Sequence, residues 1–234
     1  MSARTSKDFT DAQRPPRGLL ALLVLITAFG VYNAWFLLPA AWAEATTLAA
    51  RYTAEKWRNV GAKSVTPLEW ATARKRLEDG ITLTPDNPNL HAELAFLYVA
   101  RAQAMGKLES DSVLLPMHYE LMDLAIEHYR TAAKLRLSFP YTWAHLALAK
   151  HYRGQHDDEM WQAFDQSIRF GRSEAGLQPL FAEIAFAHWP TLAAARQKAV
   201  IDMIALAKPV YQPKLLEQAA AAGVQLPGIA QPAP

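Results

Sequence analysis

A chain of 234 residues has room for one sizeable domain, or one domain with a membrane anchor, and not for two enzyme domains. It is 51% hydrophobic and 20% charged, rich in alanine and leucine, with β-branched residues thinly spread after the first third, which points to helices. The net charge of +2 resides in the first 17 residues, where Arg4, Lys7, Arg14 and Arg17 face Asp8 and Asp11, so the body is neutral and lacks the basic stripe that nucleic acid requires, while the absence of cysteine excludes disulfides, zinc–thiolate sites, iron–sulfur clusters, thiol nucleophiles and a lipoprotein acyl anchor.

Residues 1–17 read as a basic tail, and 18–43 as a membrane segment. No charge occurs from Gly18 to Ala43, and LLALLVLITAFGVYNAWFLL, Leu19 to Leu38, gives about 20 mostly apolar residues, enough to cross roughly 30 Å of hydrocarbon as a helix. Tyr32, Trp35 and Trp42 gather at its far end, where aromatic rings favour the headgroup layer. Arg14 and Arg17 at the near end put the N-terminus in the cytoplasm, and residues from about 44 onward outside it. The expected topology is a single-pass protein of a bacterial inner membrane with a periplasmic domain. A cleaved signal peptide is the alternative, since Ala41-Trp42-Ala43 has the small-x-small form of a cleavage site. The length of the apolar run and the bulk of Trp42 favour an uncleaved anchor.

Residues 44–65 are expected to form a stalk or linker, helical to about Arg58 with Leu48, Tyr52 and Trp57 on one side, and broken at Gly61 and Pro67. A helical body should then occupy 66–208. Thr66-Pro67-Leu68-Glu69 reads as a capping box opening a helix to about Thr82, in which Ala73, Leu77 and Gly80 fall at relative positions 0, 4 and 7, with Pro85 closing the unit. That is the second-helix half of a tetratricopeptide repeat.

A second unit begins at Pro88, with His91, Leu94, Ala95 and Tyr98 at packing positions. Its partner helix is delayed by an insertion, Gln103 to Leu121, expected to be a loop, after which Ala125, Tyr129 and Ala132 restore the 0, 4, 7 spacing. A third unit starts at Pro140, with Trp143, Leu146 and Ala147, a turn at Gly154, and Met160, Phe164 and Ser167 in its second helix. Leu177, Leu180, Phe181, Ile184 and Trp189 suggest one capping helix and Ala195 to Ala207 another. Residues 209–234 read as a short helix, about Lys214 to Ala222, and a disordered Pro/Ala-rich tail, PGIAQPAP. The fold class is therefore all-α: one transmembrane helix, then a tetratricopeptide-like helical repeat, an α-solenoid of stacked pairs with atypical ends.

Chemistry is sparse. No phosphate loop, G-x-S-x-G elbow, H-E-x-x-H pair or calcium pattern is present, so no catalytic residue and no cofactor is expected. His151 and His156 lie either side of Gly154 and cannot share a helical face as ligands at i and i+4 would, so no metal site is expected. The acidic residues Glu109, Asp111, Glu120, Asp123 and Glu127 suit a solvated face better than a paired-carboxylate glycosidase site. Of the tryptophans, Trp57, Trp70 and Trp161 remain as exposed candidates. Stacked repeats line a concave groove with their first helices. The candidate partner contacts are Asn89, Glu93, Phe96, Tyr141, His145, His151 and Tyr152, and a purely solvated or packing role for them is equally open.

The stretches ARKRLEDGITLTPDNPNLHAELAFLY and FPYTWAHLALAKHYRGQHDDEMWQAFDQSIRFG, with Trp189, resemble small accessory proteins of bacterial exopolysaccharide biosynthesis clusters, the Vps P type. The resemblance spans roughly residues 18 to 208. It departs after Gly171, where Arg172-Ser173-Glu174-Ala175 stands in place of a tryptophan and proline. It implies a noncatalytic role in making or exporting a surface polysaccharide, with other envelope proteins as partners. An assembly factor for a different envelope complex is the nearest alternative, and a glycan-acting enzyme a more distant one.

Overall fold

The computed structural model describes residues 17–61, 64–106, 109 and 111–229, and its regular structure is helical throughout, with no strand among the described residues. The basic tail before Arg17 and the last five residues lie outside them.

The first helix, α1, runs unbroken from Arg17 to Val60, 44 residues with Pro39 inside it. At 1.5 Å per residue it is about 66 Å long, twice the thickness of a bilayer core. Its N-terminal portion is apolar and exposed, long and apolar enough to cross a membrane.

Its C-terminal portion corrects the expectation of a stalk over 44–65. Ala43, Thr47, Ala50, Ala54 and Trp57, spaced alternately by four and three residues, are all buried, whereas Leu48 and Tyr52 point to solvent. The buried face is thus made mostly of small residues, which let α2 (Pro67–Leu83) lie close along it. Reading the large apolar residues as the packing face chose the wrong side of the helix. Trp57, expected as an exposed aromatic, is 1% exposed.

The cap of α2 uses the residues of the expected capping box with one bond changed: the Thr66 hydroxyl oxygen accepts from the Glu69 N–H at 3.3 Å, and the Glu69 carboxylate accepts from the Thr66 hydroxyl at 2.9 Å where a full box would take the Thr66 backbone N–H. Proline occupies the start of α3 (Pro88–Gln103), and α4 (Leu115–Leu135) completes the second pair. Helix α4 begins at Leu115, inside the 103–121 insertion expected to be a loop, because Pro116 sits in its first turn instead of breaking it: proline there lacks only an N–H that would have no helical partner. The third pair is α5 (Pro140–Arg153) and α6 (Asp158–Gly171).

In each second helix the residue at relative position 7, Gly80, Ala132 or Ser167, is buried and small. A Cβ on Gly80 would collide with the Thr47 methyl and stand 3.2 Å from Leu90. The same logic holds where the third pair ends: a Cβ on Gly171 would fall 2.6 Å from the Pro140 ring and 2.7 Å from Leu177.

The cap has three helices, α7 (Gln178–Ala187), α8 (Ala194–Ala205) and α9 (Gln212–Ala221). Trp189 falls in a short 3-10 turn after α7 and not within it. After α9, Val224 and Leu226 fold back into the core, so the chain stays packed to the first residues of the PGIAQPAP segment.

Candidate functional site

The first helices of the three pairs, α1, α3 and α5, share one cleft of about 350 Å³. Five of the seven residues singled out from sequence line it: Asn89, Glu93 and Phe96 from α3, Tyr141 and His145 from α5. The register explains this. Pro88 and Pro140 open equivalent helices, so Asn89 and Tyr141, and Glu93 and His145, occupy matching positions on the same face.

Sequence reasoning missed the α1 wall. Arg51 and Arg58 enter the cleft because 44–60 is a repeat helix. Arg58 is fixed from three sides: to Glu93 at 2.6 Å, to Glu55 at 3.1 Å, and over the Phe96 ring at 4.4 Å. Arg51 grips Glu44 through both terminal nitrogens, at 2.7 and 2.8 Å, leaving its Nε without a partner. On the α5 side Arg136 donates to Asn89 Oδ1 at 2.8 Å and covers Phe139 at 3.8 Å, while the Tyr141 hydroxyl donates to Glu174 at 3.2 Å. At the base, His145 stacks on Tyr129 with ring centres 5.6 Å apart. Burial, reinforced by the Arg58 cation, pushes His145 down to about 4, and burial raises the Tyr129 phenol far above its ordinary range. Both groups are neutral at pH 7, so the cleft presents aromatic walls with fixed guanidinium and carboxylate groups.

The other two residues lie apart from this cleft. Tyr152 donates to Glu183 of α7 at 2.6 Å. His151 meets two further histidines, with Nδ1 at 3.2 Å from His188 Nε2 and ring centres 5.5 Å from His156. Burial, with His188 and then His156 beside it, pushes His151 down to about 4.

This meeting corrects the argument that Gly154 separates His151 from His156. Gly154 is left-handed, φ 79°, and its N–H bonds to the His151 carbonyl at 3.0 Å while Gln155 N–H bonds to the Lys150 carbonyl at 2.9 Å. Those two bonds close a Schellman turn, which reverses the chain and lays His156 against the helix end it has just left.

The acidic residues do not assemble a cleft. Glu109, Asp111, Glu120 and Glu127 are exposed, and Asp123 is taken by Arg153 at 2.8 Å and Gln155 at 3.2 Å. Trp70 is half-buried and donates to the Leu97 carbonyl at 2.9 Å, and Trp161 is half-buried under Arg196. Trp143, read as a core residue, is only half-buried and donates to the Leu137 carbonyl at 2.8 Å.

No protein-family model matches the chain, and no curated protein matches it by sequence. Among solved structures it is similar to the crystal structure of a thermophilic TPR protein from Thermus thermophilus, at 15% identity and a TM-score of 0.52, over 88% of this chain and 96% of that one. The chain therefore has a tetratricopeptide-like helical-repeat fold.

Proposed function

We propose that this protein is a membrane-anchored, noncatalytic interaction scaffold whose α1/α3/α5 cleft takes a segment of a partner protein. The observation that carries the reading is the cleft itself. Residues equivalent by repeat register converge there with Arg51 and Arg58, and about 350 Å³ holds a few side chains of an extended segment, not a folded domain. The partnerless Arg51 Nε and the aromatic walls suit a peptide offering a hydrogen-bond acceptor and an aromatic or aliphatic anchor.

The anchor is the N-terminal portion of α1. Its exposed apolar surface and its position before the repeats support a single-pass topology in a bacterial inner membrane, N-terminus in the cytoplasm and repeats in the periplasm. Trp35, Leu38, Pro39 and Trp42 make an apolar recess with Leu83 of α2, which fits the level where helix and repeat body meet the headgroups. Because α1 continues without a break into the cleft wall, a bound partner would be held at a set height above the bilayer.

The pathway is the one implied by the resemblance to exopolysaccharide accessory proteins: polymer synthesis or export. An assembly factor for another envelope complex is the second reading, resting on the same cleft. The test is affinity capture of the full-length protein from membranes in mild detergent, beside an Asn89→Ala/Glu93→Ala/Tyr141→Ala variant. Polysaccharide synthesis or export components recovered with the wild type and lost with the variant are the expected result. Recovery of a different envelope complex, also lost with the variant, would move the assignment to the second reading. Identical recovery with both proteins would remove the cleft from the function.

A further inference from the structure

The three histidines at the end of α5 are arranged as a ligand set. His151 comes from the last turn of α5, His156 from the turn into α6, and His188 from the end of α7, and one nitrogen of each lies within 4.8 Å of the other two. We propose that His151, His156 and His188 bind one divalent transition-metal ion of the zinc class, and that the ion ties the C-terminal cap to the third helix pair.

The geometry is close to what such an ion demands. Tetrahedral zinc holds imidazole nitrogens at about 2.0–2.1 Å, which sets neighbouring ligand atoms roughly 3.3 Å apart. His151 Nδ1 and His188 Nε2 already stand at 3.2 Å. His156 is exposed on a turn with its ring centre 4.3 Å from that of His188, so its side chain is free to turn toward the pair without moving a helix. Three ligands leave a fourth position, which the exposure of His156 opens to water. A set made only of imidazoles selects zinc, nickel or copper over magnesium or calcium, which require oxygen donors.

The contrast with the second histidine pair sharpens the assignment. His91 and His128 also approach, Nδ1 to Nδ1 at 3.0 Å, but no third ligand joins them among the described residues. That pair is a hydrogen bond. His151 and His188 form a comparable pair, and there His156 supplies the third ligand.

The consequence is mechanical. Helix α7 packs on α5 and, through Phe181 against Phe164, on α6, and an ion with two ligands on α5 and its turn and one after α7 would cross-link that junction. Since the unfolded chain does not hold the three rings together, binding stabilises the folded state by mass action.

The test uses the full-length, untagged protein in mild detergent, stripped with a chelator, then titrated with Zn²⁺ by calorimetry and with Co²⁺ by visible absorption. The expected result is one ion per chain, a tetrahedral Co²⁺ spectrum, and a rise in the thermal midpoint with added Zn²⁺. His156→Ala and His188→Ala should each weaken binding by about a hundredfold, at the upper end of what loss of a supporting group costs a metal site, and His118→Ala should bind like the wild type. Far-UV circular dichroism of His156→Ala, whose side chain is exposed, checks that the fold persists. Absence of saturable uptake by the wild type, or uptake that survives both His156→Ala and His188→Ala, would overturn the proposal.

Discussion

Lys150 offers the sharpest quantitative prediction. Its side chain is 2% exposed, and its ammonium is held by Glu159 at 2.6 Å and Asp157 at 2.9 Å. Glu159 also takes a two-pronged bond from Arg130 of α4, so one carboxylate joins all three helices α4, α5 and α6. The hydrogen bond from Arg130 outweighs burial and, with Lys150, brings the Glu159 carboxyl down from 4.5 to about 2. At 1.36 kcal/mol per pH unit that shift corresponds to at most about 3.4 kcal/mol, and because Glu159 is about one-third exposed, solvent screening reduces it to roughly 2 kcal/mol. Glu159→Gln should therefore lower the thermal midpoint by about 4–8 °C at pH 7, at roughly 2–4 °C per kcal/mol for a chain of this size. Lys150→Met removes the buried cation and leaves the Arg130–Glu159 pair intact, so it should cost less than Glu159→Gln, which strands a buried charge with one partner. The folded pKa of Glu159 lies below its unfolded value, so its contribution is complete above pH 4.5 and is lost as pH falls toward 2. The assay is thermal unfolding by circular dichroism in detergent at pH 7 and pH 3. A shift under about 1 °C for Glu159→Gln at pH 7, or a larger loss for Lys150→Met, would refute the argument.

Other perturbations address the packing of α1, the buried histidines and the first cap. Gly80→Ala should destabilise by about 1–3 kcal/mol through the Thr47 methyl, and adding Thr47→Ser should recover much of the loss; unfolding midpoints that simply add would mean 44–60 does not pack on α2. Burial brings His128 and His145 from 6.5 to about 4, with His91 beside the first and Arg58 beside the second. Their stability contribution is complete above pH 6.5 and is lost as pH falls toward 4, up to roughly 3 kcal/mol for His145 and less for His128, whose partial exposure lets solvent screen it. A pH series of midpoints should show a decline that begins near 6.5 and becomes shallower in a His128→Leu/His145→Phe variant, with the remainder carried by His151, which burial also brings to about 4. Thr66→Ala removes both hydroxyl bonds to Glu69 and should cost about 1 kcal/mol in urea unfolding, an effect absent if α2 starts elsewhere.

Much of this protein was decided by local sequence. The apolar run after Arg17, the Thr66–Glu69 box, the prolines at 88 and 140, and the small residues at 80, 132 and 167 each act within a few residues or at a fixed helical spacing. They set helix starts, repeat register and the face carrying Asn89, Glu93, Phe96, Tyr141 and His145. Three features needed the assembled fold. The 44–60 segment is a repeat helix because α2 packs on its alanines, a face that hydrophobicity by bulk overlooks, and with it came Arg51 and Arg58. Trp57, judged by type as an exposed aromatic, is buried for the same reason. The histidine cluster joins residues that linear spacing had set apart. A left-handed glycine turned His156 back on His151, and stacking of α7 against α5 brought His188 to both, a proximity that exists only when helices distant in sequence pack together.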